Sequence, residues 1–223
     1  MKVRDDFTIT EKALVVAFSV IDYEPSCGPS FEALAQEPRL ARILDTTDLH
    51  ILASLNPDGF ENSTKGVCRG YHVGTGRHNG NMVRCQPAQD LDNLKFVYFQ
   101  VDLNRAFPTW DDVGETRATL VNRSEPEVAA VIGWVLDQPF VLSANFHDGA
   151  VVANYPYDDS NLDNGLKSVT PDDATFVSLS RLYAARHRTM SRGSGLCDED
   201  NFPGGITNGA EWYVVEGGMQ VGE

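Results

Sequence analysis

Residues 124–149 constrain the fold more than any other stretch, because a capped helical pattern there runs straight into a strand pattern. Ser124 and Glu127 stand at capping-box spacing, and Val128, Val131, Ile132 and Val135 give one apolar face. Phe140–Phe146 follows, apolar or small and without Gly or Pro, and reads as a buried strand. His147-Asp148-Gly149 then breaks it, and the end of such a strand is where α/β folds present ligands. The same alternation recurs elsewhere. Ala13–Val20 and Leu49–Leu55 read as strands, and Phe31–Leu44 has helical spacing that Pro38 interrupts or restarts. Asn56-Pro57-Asp58-Gly59 reads as a tight turn. Thr170-Pro171-Asp172-Asp173 opens a helix expected to reach about Met190, with Phe176, Leu179, Leu182 and Tyr183 inward. With no repeat and no linker, residues 1–223 predict one α/β domain, a mixed sheet flanked by helices.

Charge and cysteines narrow the function. A net charge of −14 leaves no basic surface to release counterions from phosphates, which argues against nucleic acid and anionic membrane as partners. The most apolar run, Ala13–Ile21, is too short to span a bilayer, and Asp5, Asp6 and Glu11 stand where a secretory leader would be basic. The 4 cysteines (Cys27, Cys68, Cys85, Cys197) form no Cys-x-x-Cys pair, which excludes a zinc ribbon and leaves disulfides or free thiols. Sequons at Asn62 and Asn122 become glycosylation sites only in the secretory pathway. Gly74-x-Gly76 misses the dinucleotide-binding spacing, and there is no Walker loop or Gly-x-Ser-x-Gly elbow. None of His50, His72, His78, His147 and His187 forms a His-x-x-x-His pair.

A set of motifs in a fixed order carries more information. They are Asn56-Pro57-Asp58-Gly59-Phe60, Gly76-Arg77-His78-Asn79, Asp102-Leu103-Asn104-Arg105-Ala106-Phe107-Pro108, the stretch Val141–Asp159 with Asn154-Tyr155-Pro156-Tyr157-Asp158 inside it, and Gly205–Tyr213 running into Gly217-Gly218-Met219-Gln220. Over residues 38–80 and 101–220 the chain resembles the zinc metallocarboxypeptidases, in particular the branch of carboxypeptidases N, E and D. The resemblance implies the carboxypeptidase α/β fold, Zn2+ as cofactor and residence in the secretory pathway or outside the cell. It further implies that Asn104 and Arg105 grip the substrate's C-terminal carboxylate, a task suited to a planar guanidinium. Arg77 would polarise the scissile carbonyl, Tyr213 would close over the substrate, and His147 would be a zinc ligand. Asp158, with Gln220 beside it, would receive a basic side chain, so the implied substrates are peptides and proteins ending in Lys or Arg.

The departures from the family pattern are as definite. A catalytic zinc takes three protein ligands, and the family's His-x-x-Glu pair is absent upstream of Asn56, where residues 1–30 are unrelated and the histidine present is His50, followed by Ile51, Leu52 and Ala53. The glutamate that acts as general base lies downstream of the Gly-Gly-Met-Gln segment in relatives, and neither Glu216 nor Glu223 matches it. Residues 81–100 read as an insertion, either a strand-like or disordered excursion or translated intron. The expectation is therefore an incomplete carboxypeptidase domain, truncated at both ends and inactive as written. The alternative is a non-catalytic module that binds basic peptide C-termini.

Overall fold

The computed structural model describes residues 11–17, 37–61, 79, 83–84, 98–99, 101–147, 150–160, 166–193 and 201–220. Three parallel strands form its main sheet: β1 (Glu11–Ala17), β2 (Thr47–Leu52), and, much later in the chain, a strand at Phe140–Phe146, with β1 in the middle. Between β1 and β2 lies α1 (Pro38–Thr46), which begins at Pro38 because proline fits the first helical turn, where its missing N–H is not needed. Glu37 caps it by accepting from the backbone N–H groups of Arg39 and Leu40. The expected turn at Asn56–Gly59 is instead the entry to a short helix, α2 (Pro57–Glu61), because the Asn56 side chain accepts from Gly59 N at 3.0 Å. Further along, β3 (Val83–Arg84) pairs antiparallel with β4 (Tyr98–Phe99).

Ser124 does not open the helix expected of it. A separate helix, α3 (Arg117–Arg123), is capped by Thr116, and the Ser124 hydroxyl donates back to Leu120 O at 2.7 Å. The next helix, α4 (Pro126–Asp137), starts on proline without a side-chain cap. Its apolar face is as the spacing predicts for Val128, Val131 and Ile132, which are buried with Leu55, Leu103 and Phe107 in one cluster. Val135 falls outside it, exposed. Each such aliphatic side chain, once buried, contributes about 1.5–3 kcal/mol, so this cluster fixes α4 against Leu103 and Phe107.

The strand β5 (Phe140–Phe146) has the bounds the sequence predicts but not the burial. Val141 and Leu142 are 63% and 46% exposed. The pairing register explains the arrangement. β1 pairs Lys12 with Phe140 and Ala13 with Leu142, so Val141 is left without a partner. Phe140 stays on the side where His50 and Trp134 pack, with ring centroids 5.0 and 6.0 Å away. Leu142 instead shares Ala13 as partner with Leu49 of β2, and Leu49 and Ile51 are also exposed. α4 thus covers one side of the sheet. On the other side Phe146 meets Tyr183 at one corner, with centroids 6.4 Å apart.

The remaining elements are β6 (Ala153–Tyr155), α5 (Asp173–Arg186), β7 (Ile206–Asn208), which pairs in parallel with β6, and α6 (Gly209–Trp212). α5 stops short of the expected Met190. Its expected inward residues Leu179, Leu182 and Tyr183 are exposed, Phe176 is half-buried, and Ala184 is the residue it buries. A small residue there lets the helix approach β6 and β7 closely, a contact that apolar spacing does not predict. Among the described residues no helix is long and apolar enough to cross a membrane.

Candidate functional site

The Asp102–Phe107 turn is built from below by Leu103, which is 1% exposed in the core. Asp102 caps the turn, its Oδ1 accepting from Asn104 N at 3.0 Å. With Leu103 inward, Asn104 and Arg105 are turned out of the core. Asn104 Oδ1 accepts from Met219 N at 3.1 Å, and Arg105 is exposed, with Nη1 donating to Asn104 O at 2.7 Å. Phe107 N donates to Gly217 O at 3.0 Å, which ties the turn to the Gly217-Gly218 segment. Gly217 has φ +70°, and a side chain there would lie 2.6 Å from Arg105 O. Glycine is required on both counts.

Asp158 sits at the other side of this seam, 7% exposed. Its Oδ1 accepts from Asn154 Nδ2 at 2.8 Å, its backbone N–H donates to Gln220 O at 3.4 Å, and its carbonyl accepts from Val215 N at 2.9 Å. Gly209 and Gly218 press against it from either side. A side chain on Gly209 would overlap the carboxylate, and one on Gly218 would lie 3.4 Å from Oδ2. Burial pushes the Asp158 carboxyl above its ordinary range, opposed by the Asn154 hydrogen bond and then by the positive charges of Arg105 and protonated His147. Gln220 Nε2 donates to Asn154 O at 3.4 Å, while Gln220 Oε1 and Asn154 Oδ1 are buried and have no donor among the described residues. Among the described residues, two acceptors, Gln220 Oε1 and Asn154 Oδ1, are thus left open near the Asp158 carboxylate.

One residue holds this wall together, and sequence reasoning passed over it. Asn208, 0% exposed, donates from Nδ2 to Pro156 O and Ser168 O, both at 2.9 Å. Its Oδ1 accepts from Ser168 N at 3.0 Å and caps α6 by accepting from Glu211 N. The available signal was an asparagine directly before a glycine at a helix start, inside the Gly205–Tyr213 motif. Tyr213 follows α6, 45% exposed, with its ring edge-on to Trp212 at 4.8 Å. Arg105, Thr109, Val214, Val215 and Glu216 line an open groove of about 540 Å³ beside it.

The structure thus brings Asn104, Arg105, Asp158 and Gln220 together, with Tyr213 on the adjoining loop. Arg77 lies outside the described residues, as do Asp148 and Gly149. His147 is exposed at the end of β5. His50, the histidine upstream of Asn56, faces Trp134 and Phe140 with Nε2 3.2 Å from Asp48 Oδ2, a packing position on the α4 side of the sheet. Among the described residues no group of three or more His, Cys, Asp and Glu side chains converges to hold a metal. The described donor set does not by itself make a zinc site.

Comparison with known proteins now defines the class. The zinc carboxypeptidase family matches residues 30–221, and the chain belongs to that family. Within it, the chain is 46% identical to human carboxypeptidase D over 189 residues, which is 82% of this chain and 12% of that protein. It is 37% identical to mouse carboxypeptidase M over 188 residues, 83% of this chain and 36% of that protein. It is 41% identical to the catalytic chain of mouse carboxypeptidase N over 194 residues, 82% of this chain and 40% of that protein. The chain therefore spans less than half the length of these relatives.

Proposed function

We propose that this chain is the recognition part of a carboxypeptidase, taking the C-termini of peptides and proteins that end in Lys or Arg, and that as written it does not hydrolyse them. Membership of the zinc carboxypeptidase family supports the substrate class. The observation that carries the basic preference is the buried trio of Asp158, Gln220 Oε1 and Asn154 Oδ1, acceptors with too few donors among them. Lysine and arginine side chains bring donors and no acceptor, so they complete the hydrogen bonding that Asp158 and its neighbours leave open. Arg105 and Asn104, across the seam, take the free carboxylate, where a guanidinium can bind both oxygens. Tyr213, exposed after α6, covers the bound residue in this reading.

In a complete family site, zinc polarises the scissile carbonyl and activates water. His147 would contribute one ligand, and Arg77 would support the carbonyl oxygen. The exposed position of Asn122 on α3 suits the sequon reading and a secretory location. Two measurements test the proposal. Calorimetry with an Arg-ending peptide against the same peptide amidated should show binding of the free acid alone, and equal binding of both would overturn the carboxylate grip. With added zinc, no C-terminal Arg should be released, and turnover abolished by a chelator would overturn the inactive reading.

A further inference from the structure

Asn79 is 1% exposed and takes no part in the site just described. Its backbone N–H donates to Val101 O at 3.0 Å, and its Oδ1 accepts from Val101 N at 3.3 Å. Its Nδ2 donates to Glu125 Oε2 at 2.9 Å and to Glu127 Oε2 at 3.4 Å. One amide thus joins three separate stretches: the Gly76–Asn79 motif, the segment leading into Asp102–Arg105, and the start of α4. Beyond it, Val83 pairs with Phe99 and Arg84 with Tyr98, so the chain that departs after Asn79 comes back to Val101 through an antiparallel neck.

We propose that Asn79 is a positioning residue that clasps this neck, fixing the Asp102–Arg105 turn to α4 so that the Asn104–Arg105 grip does not depend on residues 83–99. The proposal rests on the reading of Asn104 and Arg105 as the carboxylate grip. The turn is fixed from below by Leu103 in the core and on its far side by Met219 N on Asn104 Oδ1. The Asn79 clasp supplies the third constraint, at the upstream end. A primary amide is suited to the place because it offers an acceptor to the Val101 N–H and donors to two carboxylates at once. Aspartate has the same shape but would set a third carboxylate against Glu125 and Glu127.

The test compares N79D, the double variant N79D/E125Q and a deletion of residues 83–99 with the parent chain. Each is followed by amide hydrogen exchange at Val101 and Asn104 and by the dissociation constant for an Arg-ending peptide. N79D should speed exchange at both amides about tenfold and weaken the peptide about tenfold, the equivalent of one lost charge-assisted hydrogen bond. N79D/E125Q swaps amide and carboxylate across the contact and should recover most of both losses. The deletion should keep the parent affinity. The clasp is overturned if N79D exchanges as the parent does, if the double variant is no better than N79D, or if the deletion loses binding. Exchange needs no ligand, so a parent chain that fails to bind peptide would sink the proposed function while the exchange arms still decide the clasp.

Discussion

Asp158 and His147 lie on one continuous stretch after β5, yet their surroundings differ in kind. Asp158 is enclosed by Asn154, Gln220, Val215 and two glycines, each placed by a hydrogen bond or by the absence of a side chain. His147 stands exposed at the end of a strand whose middle residues are themselves open to solvent. Enclosure of a charge is costly unless its partners are supplied, so a chain that buries Asp158 has committed neighbouring elements to it. The comparison teaches that enclosing Asp158 does not require the chain to enclose His147 with it. Asp158 is walled in by Asn154, Gln220, Val215, Gly209 and Gly218, whereas His147 is exposed.

The largest way to break the contrast is at the wall's centre. Gly209→Ala should destabilise the fold by about 3 kcal/mol or more in urea unfolding, since the added methyl meets the Asp158 carboxylate and its backbone. Asn208→Ala should cost about 3 kcal/mol in the same experiment, because it leaves Ser168 N and the Pro156 and Ser168 carbonyls without their buried partner. Asp158→Asn should weaken an Arg-ending peptide about a hundredfold by calorimetry, through loss of the buried charge.

The same change should raise thermal stability at neutral pH. The Asp158 pKa is raised on folding, so the folded state holds its proton more tightly than the unfolded state. Its contribution is fully present below the unfolded carboxylate pKa and is lost as pH rises through the raised folded value. The advantage of Asp158→Asn should therefore appear at pH 7 and vanish in acid, and an equal advantage at every pH would show that the gain comes from packing. Arg105→Lys should weaken the free-acid peptide about tenfold while leaving the amidated one unchanged. His147→Ala, smallest of all, should change stability by no more than about 1 kcal/mol, because its side chain is exposed at the end of β5. A large loss there would erase the distinction between the two ends.

What the sequence conveyed follows the same division. Local chemistry was legible: a helix begins at Pro38, Phe140–Phe146 is a strand to the residue, and Val128, Val131 and Ile132 face the core. The motif order placed Asn104, Arg105, Asp158 and Gln220 in one seam before any coordinates. Features that depend on a distant partner were not legible. Ser124 had the spacing of a helix opener, but a neighbouring turn of helix claimed its hydroxyl first. Asn208 looks like a loop residue until Pro156 and Ser168 come to it from elsewhere in the chain. β5 has a buried strand's composition without the burial, because composition does not say how many layers will lie against a sheet.

The unpaired Val141 carries a further consequence. Side chains alternate along a strand, so a single residue without a partner reverses the parity of all that follow. Ser143 and Asn145 come to pair, through β1, opposite His50 and Leu52, while Leu142 and Phe146 take the opposite parity. That odd residue sets the phase in which the chain arrives at His147. Were Val141 to pair with Ala13 instead, every later residue would slip by one position and the histidine would arrive facing across the sheet from where it now emerges.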